Sequence, residues 1–411
     1  MKLINSILRF SVKLFFALIA VYVLLINFQL YYQPDFEIES ETSVQYNRDV
    51  YHQLKFLKEE LRNGAGEEMQ SIYPEGFIFI NSLYALAWAD FLSELFDRDT
   101  IFEEGVSEIS WVIDEITADK SKDIFPENLP LKFGVFYRGW TNYVLGRKLK
   151  LQKPENRNIA EIETYKRNCD AIYQALKGNR NPYLESYQAN KWPADGIVAV
   201  SSLSLHDHIF HSNSYKPFLS DWLDKVKNRL DPETGLIPHS VNPNNDETSE
   251  GARGSSQSLI LIFLKEIDPE FAKEQFQLYE KLFLDWRMGL PGIREYPKGK
   301  LGFGDIDSGP VIWGIGGAAS IVGQKTMGLY DNWSIYSGLR NSIESFGLGY
   351  ETGKKKKYLF GMLPMVDAFI AWSNATETTK QPKFKKGFIP FKFHLISLIF
   401  LLLIALLAYK I

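Results

Sequence analysis

The two ends of this chain are long and apolar, and that feature limits the possible folds more than any other. Residues 14–28 and residues 395–409 are each apolar apart from a single polar side chain. About 20 apolar residues are needed to cross the hydrocarbon core of a bilayer. Because each stretch reaches that length once its flanks are included, the sequence predicts two membrane-spanning helices, 10–32 and 388–410, and a lipid bilayer as the partner of both ends.

Each span has an alternative interpretation that its own residues disfavour. A cleaved signal peptide needs a small-residue site after its apolar stretch, and residues 27–32 offer none. A C-terminal helix packed on a soluble core shows a polar face to solvent, whereas residues 398–408 show none. For the second span to reach full length, Lys392 must extend its amine to the lipid headgroups.

The charges beside the two spans favour opposite orientations of the large domain. Lys2, Arg9 and Lys13 precede the first span and place the N-terminus in the cytoplasm. A basic linker, 376–387, lies on the domain side of the second span and favours a cytoplasmic domain by the same rule. Since the first span usually dominates, we expect the large domain outside the cytoplasm, in the periplasm if the source is bacterial.

Composition excludes several classes of protein and of site. Of the 411 residues, 45% are hydrophobic and 23% charged, which is typical of a globular chain. The net charge of −4 lacks the basic excess that binding to phosphate backbones requires, so no nucleic acid partner is predicted. A single cysteine, Cys169, allows neither an intrachain disulfide nor a CxxC zinc site. Since phosphate-loop and HExxH motifs are also missing from the sequence, no cofactor and no metal is predicted.

Between the spans, apolar residues recur at three- and four-residue spacing, which is typical of helices. Breaks at Gly, Pro and Asn clusters divide the region into twelve predicted helices: 44–62, 75–96, 101–119, 132–151, 159–177, 195–210, 216–230, 254–267, 269–286, 308–328, 331–346 and 356–373. The odd-numbered helices are mostly amphipathic and charged. The later even-numbered ones are poor in charge and rich in small residues, as in 196–202 and 314–320, which indicates burial on all sides.

This alternation predicts the all-α fold class, with six helical hairpins arranged as two concentric rings. The arrangement is an (α/α)6 toroid over residues 44–375, flanked by the two transmembrane helices. The buried helices recur at roughly 50–60 residues without obvious sequence repetition, whereas the repeats of an α-solenoid, the alternative fold, are usually shorter and more alike.

Unusual polar and aromatic residues lie just before or within the first turns of the buried helices. In a toroid these helix starts open onto one end of the ring, where residues far apart in sequence converge into a concave site. The candidates at these positions are Tyr137, Arg138, Trp140, Trp192, Asp195, Glu250, Arg253, Asp305, Asp307 and Trp313. His239 ends the turn-rich loop 231–239, where it fits either an acid–base role in the cavity or a surface position.

Several candidates also have a purely structural interpretation. Asp195 and Asp307 each stand where a helix N-cap belongs and would accept amide hydrogens of the first turn. If Asp307 serves as the cap, Asp305 is free for another role. Glu250 and Arg253 are close enough in sequence to form a local ion pair.

Three features resemble the six-hairpin glycosidase-like superfamily over residues 44–375. They are the twelve-helix count, the Asp-Pro-Glu-Thr-Gly-Leu turn at 231–236, and the polar loops before buried helices. The segments Trp-Pro-Ala-Asp at 192–195 and Asp-Ile-Asp-Ser-Gly-Pro-Val at 305–311 are also similar to the linalool dehydratase/isomerase-like branch of these toroids. The dehydratase is associated with active-site cysteines, and the lone Cys169 on a charged outer helix departs from that pattern.

For glycosidases the resemblance implies two carboxyl groups on either side of a sugar bond, one a protonated acid and the other a base that activates water. It implies Asp195 with Asp307 or Asp305 as this pair, and Glu250 as the next candidate. The residues implied for positioning or stacking a substrate are Tyr137, Arg138, Trp140, Trp192 and Trp313, with His239 and Arg253 beside them.

Three functions follow from these residues as hypotheses. The first is a membrane-tethered toroid that hydrolyses a glycan or a related polyol. The second is a lyase or isomerase acting on an amphiphilic or isoprenoid substrate reached from the bilayer. The third is a non-catalytic module of the cell envelope that binds a small molecule or glycan or serves as a scaffold.

Overall fold

The computed structural model describes residues 2–38, 45–93, 95, 100–305, 308–377 and 388–411. Within them the chain is mostly helical. The helices are α1 (Lys2–Gln29), α2 (Arg48–Arg62), α3 (Ala65–Ile72), α4 (Gly76–Leu92), α5 (Thr100–Thr117), α6 (Gly134–Leu151), α7 (Ile159–Lys177), α8 (Pro193–Ile209), α9 (Lys216–Lys227), α10 (Gly254–Ile267), α11 (Pro269–Phe283), α12 (Gly317–Leu329), α13 (Trp333–Phe346), α14 (Pro364–Asn374) and α15 (Phe391–Lys410).

Ten short strands pair into antiparallel two-stranded hairpins. The strands are β1 (Phe36–Ile38) with β2 (Gln45–Asn47), β3 (Ser240–Val241) with β4 (Thr248–Glu250), β5 (Leu284–Arg287) with β6 (Leu290–Ile293), β7 (Val311–Ile312) with β8 (Ile315–Gly316), and β9 (Tyr350–Thr352) with β10 (Lys355–Lys357). Most of them lie between helices, so they shape the loops at helix ends and leave the helical framework intact.

Six helices contact one another in cyclic order. Helix α4 contacts α6, α6 contacts α8, α8 contacts α10, α10 contacts α12, α12 contacts α14, and α14 returns to α4. We call these the inner helices. Each also packs against at least one of α2, α5, α7, α9, α11 and α13, which we call the outer helices. An outer helix buries a single stripe, as α7 does with Tyr165, Cys169, Ile172 and Leu176, because its opposite face meets water.

The inner and outer helices begin differently. Four outer helices, α2, α7, α11 and α13, start after an Asn or Asp whose side chain accepts a first-turn amide hydrogen. All six inner helices start with Gly or Pro and have no side-chain cap. The free amides at the inner helix starts therefore depend on the preceding loops for partners.

The space between the inner helices is filled by aromatic rings. The ring centroids of Trp140 lie 4.9 Å from Phe79 and 5.8 Å from Phe263. Phe369 lies 5.2 Å from Phe79, and Trp372 lies 6.1 Å from Phe263. Rings contributed by α4, α6, α10 and α14 thus meet in the middle and close the centre against water.

An ion cluster lies near the C-terminal ends of the inner helices. Asp90 Oδ1 is 2.6 Å from Arg147 Nη2, and Asp90 Oδ2 is 2.7 Å from Lys325 Nζ. Burial alone would raise the pKa of Asp90, but the two cations outweigh it and lower the pKa. This end of the helix cycle is therefore held by charge, and the polar loops sit at the other end.

Helices α1 and α15 are each long and apolar enough to cross a membrane, with mean hydropathy 2.2 and 2.5 over their candidate spans, Ser6–Gln29 and Phe391–Lys410. They contact each other, and α1 also contacts α13. Asn341 Nδ2 donates to the Leu30 carbonyl at 2.8 Å. Ile26 and Leu30 of the first span bury against Leu290 and Phe393.

Ten of the twelve predicted helices have an observed counterpart within a few residues at each end, and two begin later than predicted. The helix predicted at 308–328 begins at Gly317, and the one predicted at 356–373 begins at Pro364. In the first case Trp313 and Gly314 have φ of 52° and 83°, which a two-residue hairpin turn requires and a helix forbids. The prediction that Gly314 and Gly316 pack inside a helix is therefore wrong, whereas Gly317 is the first residue of α12.

Other differences are additions or lie outside the described residues. The sequence analysis did not predict α3, whose eight residues separate α2 from α4, or any of the hairpins. Strands of two to four residues carry too short an alternation to be recognised by periodicity. Most of the basic linker predicted at 376–387 lies outside the described residues.

Candidate active site

Arg253, the residue immediately before α10, is the centre of a cluster of charged side chains. Its side chain is only 3% exposed. Nε lies 2.7 Å from Glu295 Oε1, and Nη1 lies 2.5 Å from Asp305 Oδ2 and 3.6 Å from Glu250 Oε1. One buried guanidinium therefore joins three carboxylates that are up to 55 positions apart in sequence.

The loops before and after α10 and α11 bring these residues together. The β3–β4 hairpin pairs Ser240 with Glu250, which places His239 beside Glu250. The chain continues beyond β6 to Glu295, whose carbonyl accepts the Gly254 amide hydrogen at 2.8 Å. Glu295 also accepts from the Ser255 hydroxyl at 2.7 Å. The uncapped start of α10 thus finds its partner in Glu295.

A turn fixes the backbone of Asp305. The Asp305 amide donates to Ser308 Oγ, and the Ser308 amide donates to Asp305 Oδ1, both at 2.9 Å. This pattern leaves Asp305 Oδ2 for Arg253. The Asp305 side chain stays 45% exposed and that of Glu250 42%, so both carboxylates are open to a ligand.

His239 lies against the start of α10. Its Nδ1 is hydrogen-bonded to the hydroxyl of Ser256, and its Nε2 is 3.8 Å from Glu250 Oε2. Burial, and next the charge of Arg253, lower the pKa of His239 to about 4 against an opposing effect of Asp305. The imidazole is therefore neutral near pH 7.

The carboxylates of this cluster differ in their electrostatics. Burial would raise the pKa of Asp305, but the hydrogen bonds from Arg253 and the Ser308 amide outweigh it and lower the pKa to about 2. Burial raises the pKa of Glu295 despite its bond to Arg253. Asp305 is thus ionised throughout the physiological range, whereas Glu295 is a buried support that does not face solvent.

Glu250 and Asp305 form the closest pair of exposed carboxylates in the cluster. Their nearest oxygens lie 3.6 Å and 2.5 Å from the same nitrogen of Arg253. The distance between these two oxygens therefore cannot exceed the sum of the two distances, about 6 Å. Among the described residues, Arg253 Nη2 is buried and has no hydrogen-bond partner. Since an unpaired buried donor is costly, a ligand oxygen that reached this nitrogen would satisfy it.

The structure places Asp195 in a different setting. The N-cap of α8 is Trp192, and Asp195 is the third residue of the helix, so the interpretation of Asp195 as an N-cap is wrong. Its Oδ2 accepts from the Ser186 hydroxyl at 2.6 Å, and the residue is 9% exposed. Asp307 lies outside the described residues.

The aromatic and basic candidates on α6 are packing residues in this structure. Trp140 is fully buried between α4 and α10. Tyr137 is 2% exposed and donates to the Ile116 carbonyl at 3.1 Å. Arg138 donates to the Lys132 carbonyl at 3.0 Å and approaches Asn168 of α7. The sequence placed them at the start of an inner helix, but their side chains point into the core or toward the outer layer.

Two tryptophan candidates lie outside the core. Trp192 is partly buried, with its ring 5.0 Å from Tyr187. Trp313 is 67% exposed at the tip of the β7–β8 hairpin. Of all the candidates, the structure therefore brings together Glu250, Arg253, Asp305 and His239.

Two residues of the cluster were not proposed from the sequence. Glu295 follows β6, and Ser256 belongs to a Gly-rich segment that was recognised only as polar. A charged pair, Arg294 and Glu295, directly after an apolar strand was the available signal. Among the described residues, no group of three or more His, Cys, Asp or Glu side chains is placed to hold a metal ion.

No protein-family model matches this sequence, and comparison with curated proteins gives no match. Among solved structures, the selenomethionine derivative of a GH76 alpha-mannanase from Bacteroides thetaiotaomicron is similar over 73% of this chain and 86% of that chain. The sequence identity is 13% and the TM-score is 0.46. A similarity of this degree transfers no residue role.

Proposed function

We propose that this chain is a membrane-anchored glycoside hydrolase built on an (α/α)6 toroid. The cyclic contacts of the inner helices, each backed by an outer helix, support the toroid. The two apolar terminal helices support the anchor. The single observation that carries the activity is the pair of exposed carboxylates, Glu250 and Asp305, held on one buried guanidinium.

The different contacts of the two carboxyl groups with Arg253 support different proposed roles. Asp305 is bonded to Arg253 and the Ser308 amide, so it stays ionised and acts as the nucleophile. Glu250 lies farther from Arg253, at 3.6 Å rather than 2.5 Å, and acts as the acid. Arg253 Nη2 binds a hydroxyl oxygen of the sugar.

The reaction then runs in two balanced steps. Glu250 donates its proton to the glycosidic oxygen as the C–O bond breaks, and Asp305 Oδ2 bonds to the anomeric carbon. In the second step Glu250 takes a proton from water, whose oxygen displaces Asp305. The nearest carboxylate oxygens are closer than the roughly 6.5–9.5 Å typical of inverting enzymes, so we expect retention at the anomeric carbon.

The test is hydrolysis of a panel of glycans by the full chain in lipid nanodiscs. Glu250→Gln and Asp305→Asn are each expected to lower kcat by about 10²–10⁴-fold, the range typical of lost acid–base or nucleophilic groups. Asp195→Asn is the matched control, because Asp195 is a buried carboxylate that accepts a hydrogen bond from the Ser186 hydroxyl. It should change kcat less than tenfold, the range of a structural effect.

The outcomes separate the hypotheses. Proton NMR of the first product should show retained anomeric configuration. Full activity of both Glu250→Gln and Asp305→Asn overturns the assignment of the pair. Saturable glycan binding without turnover would instead support a non-catalytic module, in which Arg253 engages both carboxylates permanently.

A further inference from the structure

The hairpin β5–β6 connects the membrane-proximal end of α15 to the domain. Its turn, at Met288 and Gly289, approaches the first turn of α15 so closely that a Cβ on Gly289 would lie 2.5 Å from the side chain of Lys392. The ring of Trp286 lies 5.9 Å from Phe388, just before α15. This hairpin tip is therefore at the level where the second span enters the bilayer.

Large apolar side chains are exposed around this tip. Trp286 is 46% exposed and Met288 40%. On the adjoining β7–β8 hairpin, Ile312 is 64% exposed and Trp313 67%. We call these four side chains the hairpin face.

The two hairpins form one continuous unit. Arg294, just after β6, pairs with Ile315 of β8. Arg287 of β5 donates from Nε to the Trp313 carbonyl at 2.8 Å. A single arginine side chain therefore connects Trp313 to the hairpin tip that contacts α15.

The same unit leads to the candidate active site. The Glu295 amide donates to the Gly314 carbonyl at 3.1 Å, and Glu295 binds Arg253. At a strand rise of about 3.3 Å per residue, Gly289 and Glu295 are about 20 Å apart. The loop that leads to Asp305 adds two more exposed apolar residues, Leu301 at 92% and Phe303 at 100%.

Two physical arguments point to lipid as the material that covers the hairpin face. Tryptophan is favoured at the headgroup level of bilayers, where its ring is partly buried and its N–H stays hydrated. A contiguous apolar patch exposed to water is unusual unless something covers it. The hairpin face is continuous with helices that are themselves apolar enough to span a membrane.

We propose that the hairpin face rests in the headgroup region of the bilayer, so that the candidate site takes its substrate from the membrane as an amphiphile, a sugar linked to a lipid. The placement of the hairpin face in the headgroup region is argued from its contacts with α15. The substrate class rests on the proposed hydrolase function. The apolar residues at 301–303 would then contact the lipid part and Arg253 the sugar.

The surface is tested with Met288→Cys and Ile312→Cys, each labelled with a polarity-sensitive fluorophore in the full chain, with one chain per nanodisc of phosphatidylethanolamine and phosphatidylglycerol. Native Cys169 is fully buried and escapes labelling. The control is Ile159→Cys, which is 73% exposed on α7. Helix α7 backs α6 and α8, across the helix cycle from α13, where the spans attach.

Spin-labelled lipid is expected to quench the labels at 288 and 312 at least about threefold more than the label at 159, as for side chains at headgroup depth. Equal quenching at all three positions overturns the surface placement. Quenching that appears only with two chains per disc also overturns it and identifies a protein interface. None of these readings requires catalysis, so they stand apart from the proposed activity.

The substrate class is tested by comparing a lipid-linked saccharide in the same nanodisc with the matching free saccharide. We expect at least about a tenfold higher kcat/KM for the lipid-linked form, because the bilayer presents it at the site. The double substitution Met288→Ser and Ile312→Ser should remove that preference and leave the rate on the free saccharide unchanged. Equal rates on both substrates overturn the substrate class, and turnover of neither overturns the hydrolase as well.

Discussion

At the scale of single residues, Arg253 determines the character of the candidate site. It is 3% exposed and its partner Glu295 is fully buried. Removing one member of such a pair leaves an uncompensated buried charge, which typically costs about 3–5 kcal/mol. The site therefore depends on Arg253 for stability as well as for holding Asp305 ionised.

The substitution Arg253→Met should accordingly lower the free energy of unfolding by about 3–5 kcal/mol, as measured by denaturant titration in detergent. The double variant Arg253→Met with Glu295→Gln should recover part of the loss, because no buried carboxylate is then left unpaired. Glu250→Gln, whose side chain is 42% exposed, should cost less than about 1 kcal/mol. A loss from Arg253→Met no larger than that of Glu250→Gln would contradict the role given to Arg253.

Asp367 of α14 predicts a pH dependence of stability. Burial raises the pKa of Asp367 to about 8, although the Tyr358 amide bonds to its Oδ1. Its Oδ2 is buried without a partner in the described part of the chain, as suits a protonated oxygen. Since the folded pKa lies above the unfolded value of about 3.9, protonated Asp367 contributes to the free energy of unfolding. This contribution is complete below about pH 4 and is lost as the pH rises toward 8.

The substitution Asp367→Asn keeps an oxygen for the Tyr358 amide and removes the titration. Between pH 5 and 8, thermal unfolding of the native chain should therefore shift to lower temperature more steeply than that of Asp367→Asn, by up to about 1.4 kcal/mol per pH unit. Parallel pH profiles for the two proteins would show that Asp367 is ionised in the folded state.

At the scale of elements, the sequence predicts helices well and the polar loops between them poorly. Ten helices follow from three- and four-residue periodicity, because each spans three turns or more. The segment 308–316 misled the prediction, since Gly314 and Gly316 near small residues also suit a packed helix. The backbone decides, because the pairing of β7 with β8 requires a positive φ at Trp313 and Gly314. The bridge from Arg294 to Ile315 supports this hairpin from β6, and that contact cannot be read from the local sequence.

The candidate site shows the same division between local and tertiary information. Glu250, Arg253 and Asp305 were recognisable because they stand in polar segments before predicted inner helices. Glu295 was not, because only its contact with Arg253 distinguishes it from a surface glutamate. Trp140 is the opposite case, because it was proposed from the sequence as a substrate-binding residue and lies in the core. A ring at a helix start can point into the core or into a cleft, and only the packing against α4 and α10 determines which.

The β7–β8 turn offers a matched pair of substitutions. Gly314 has a φ of 83°, and a Cβ there would lie 2.8 Å from Arg294 Nη1, so Gly314→Ala should destabilise the chain by about 1–3 kcal/mol. Gly317, the first residue of α12, has ordinary space around a Cβ, with its nearest neighbour at 3.6 Å. Gly317→Ala should change the unfolding temperature little, and equal effects of the two would argue that the observed turn is not the native one.

At the scale of the whole molecule, the two spans enter the domain side by side. Leu30 at the end of α1 and Phe393 in the first turn of α15 bury against the same strand residue, Leu290. Both helices therefore run away from the domain. We propose that both cross the bilayer, which would place the two termini together on the side away from the domain, and that this side is the cytoplasm because positive charges precede the first apolar helix.

This proposed topology predicts that epitope tags at both termini are protected from protease when the cytoplasmic membrane is intact and its outer face is open to the protease. A tag at an exposed position of the domain should be cleaved under the same conditions. The control is the same assay after the membrane is permeabilised, when all three tags should be cleaved. Cleavage of one terminal tag before permeabilisation would show that one apolar helix does not cross the bilayer.

The most direct measurement of the proposed site is a double-mutant cycle on glycan hydrolysis with Glu250→Gln, Asp305→Asn and the variant carrying both. Groups that act as one catalytic unit give strongly non-additive losses. The kcat of the double variant is therefore expected to lie no more than about tenfold below that of the less active single variant. Losses that multiply fully, or single variants with native rates, would contradict a catalytic pair gathered on Arg253.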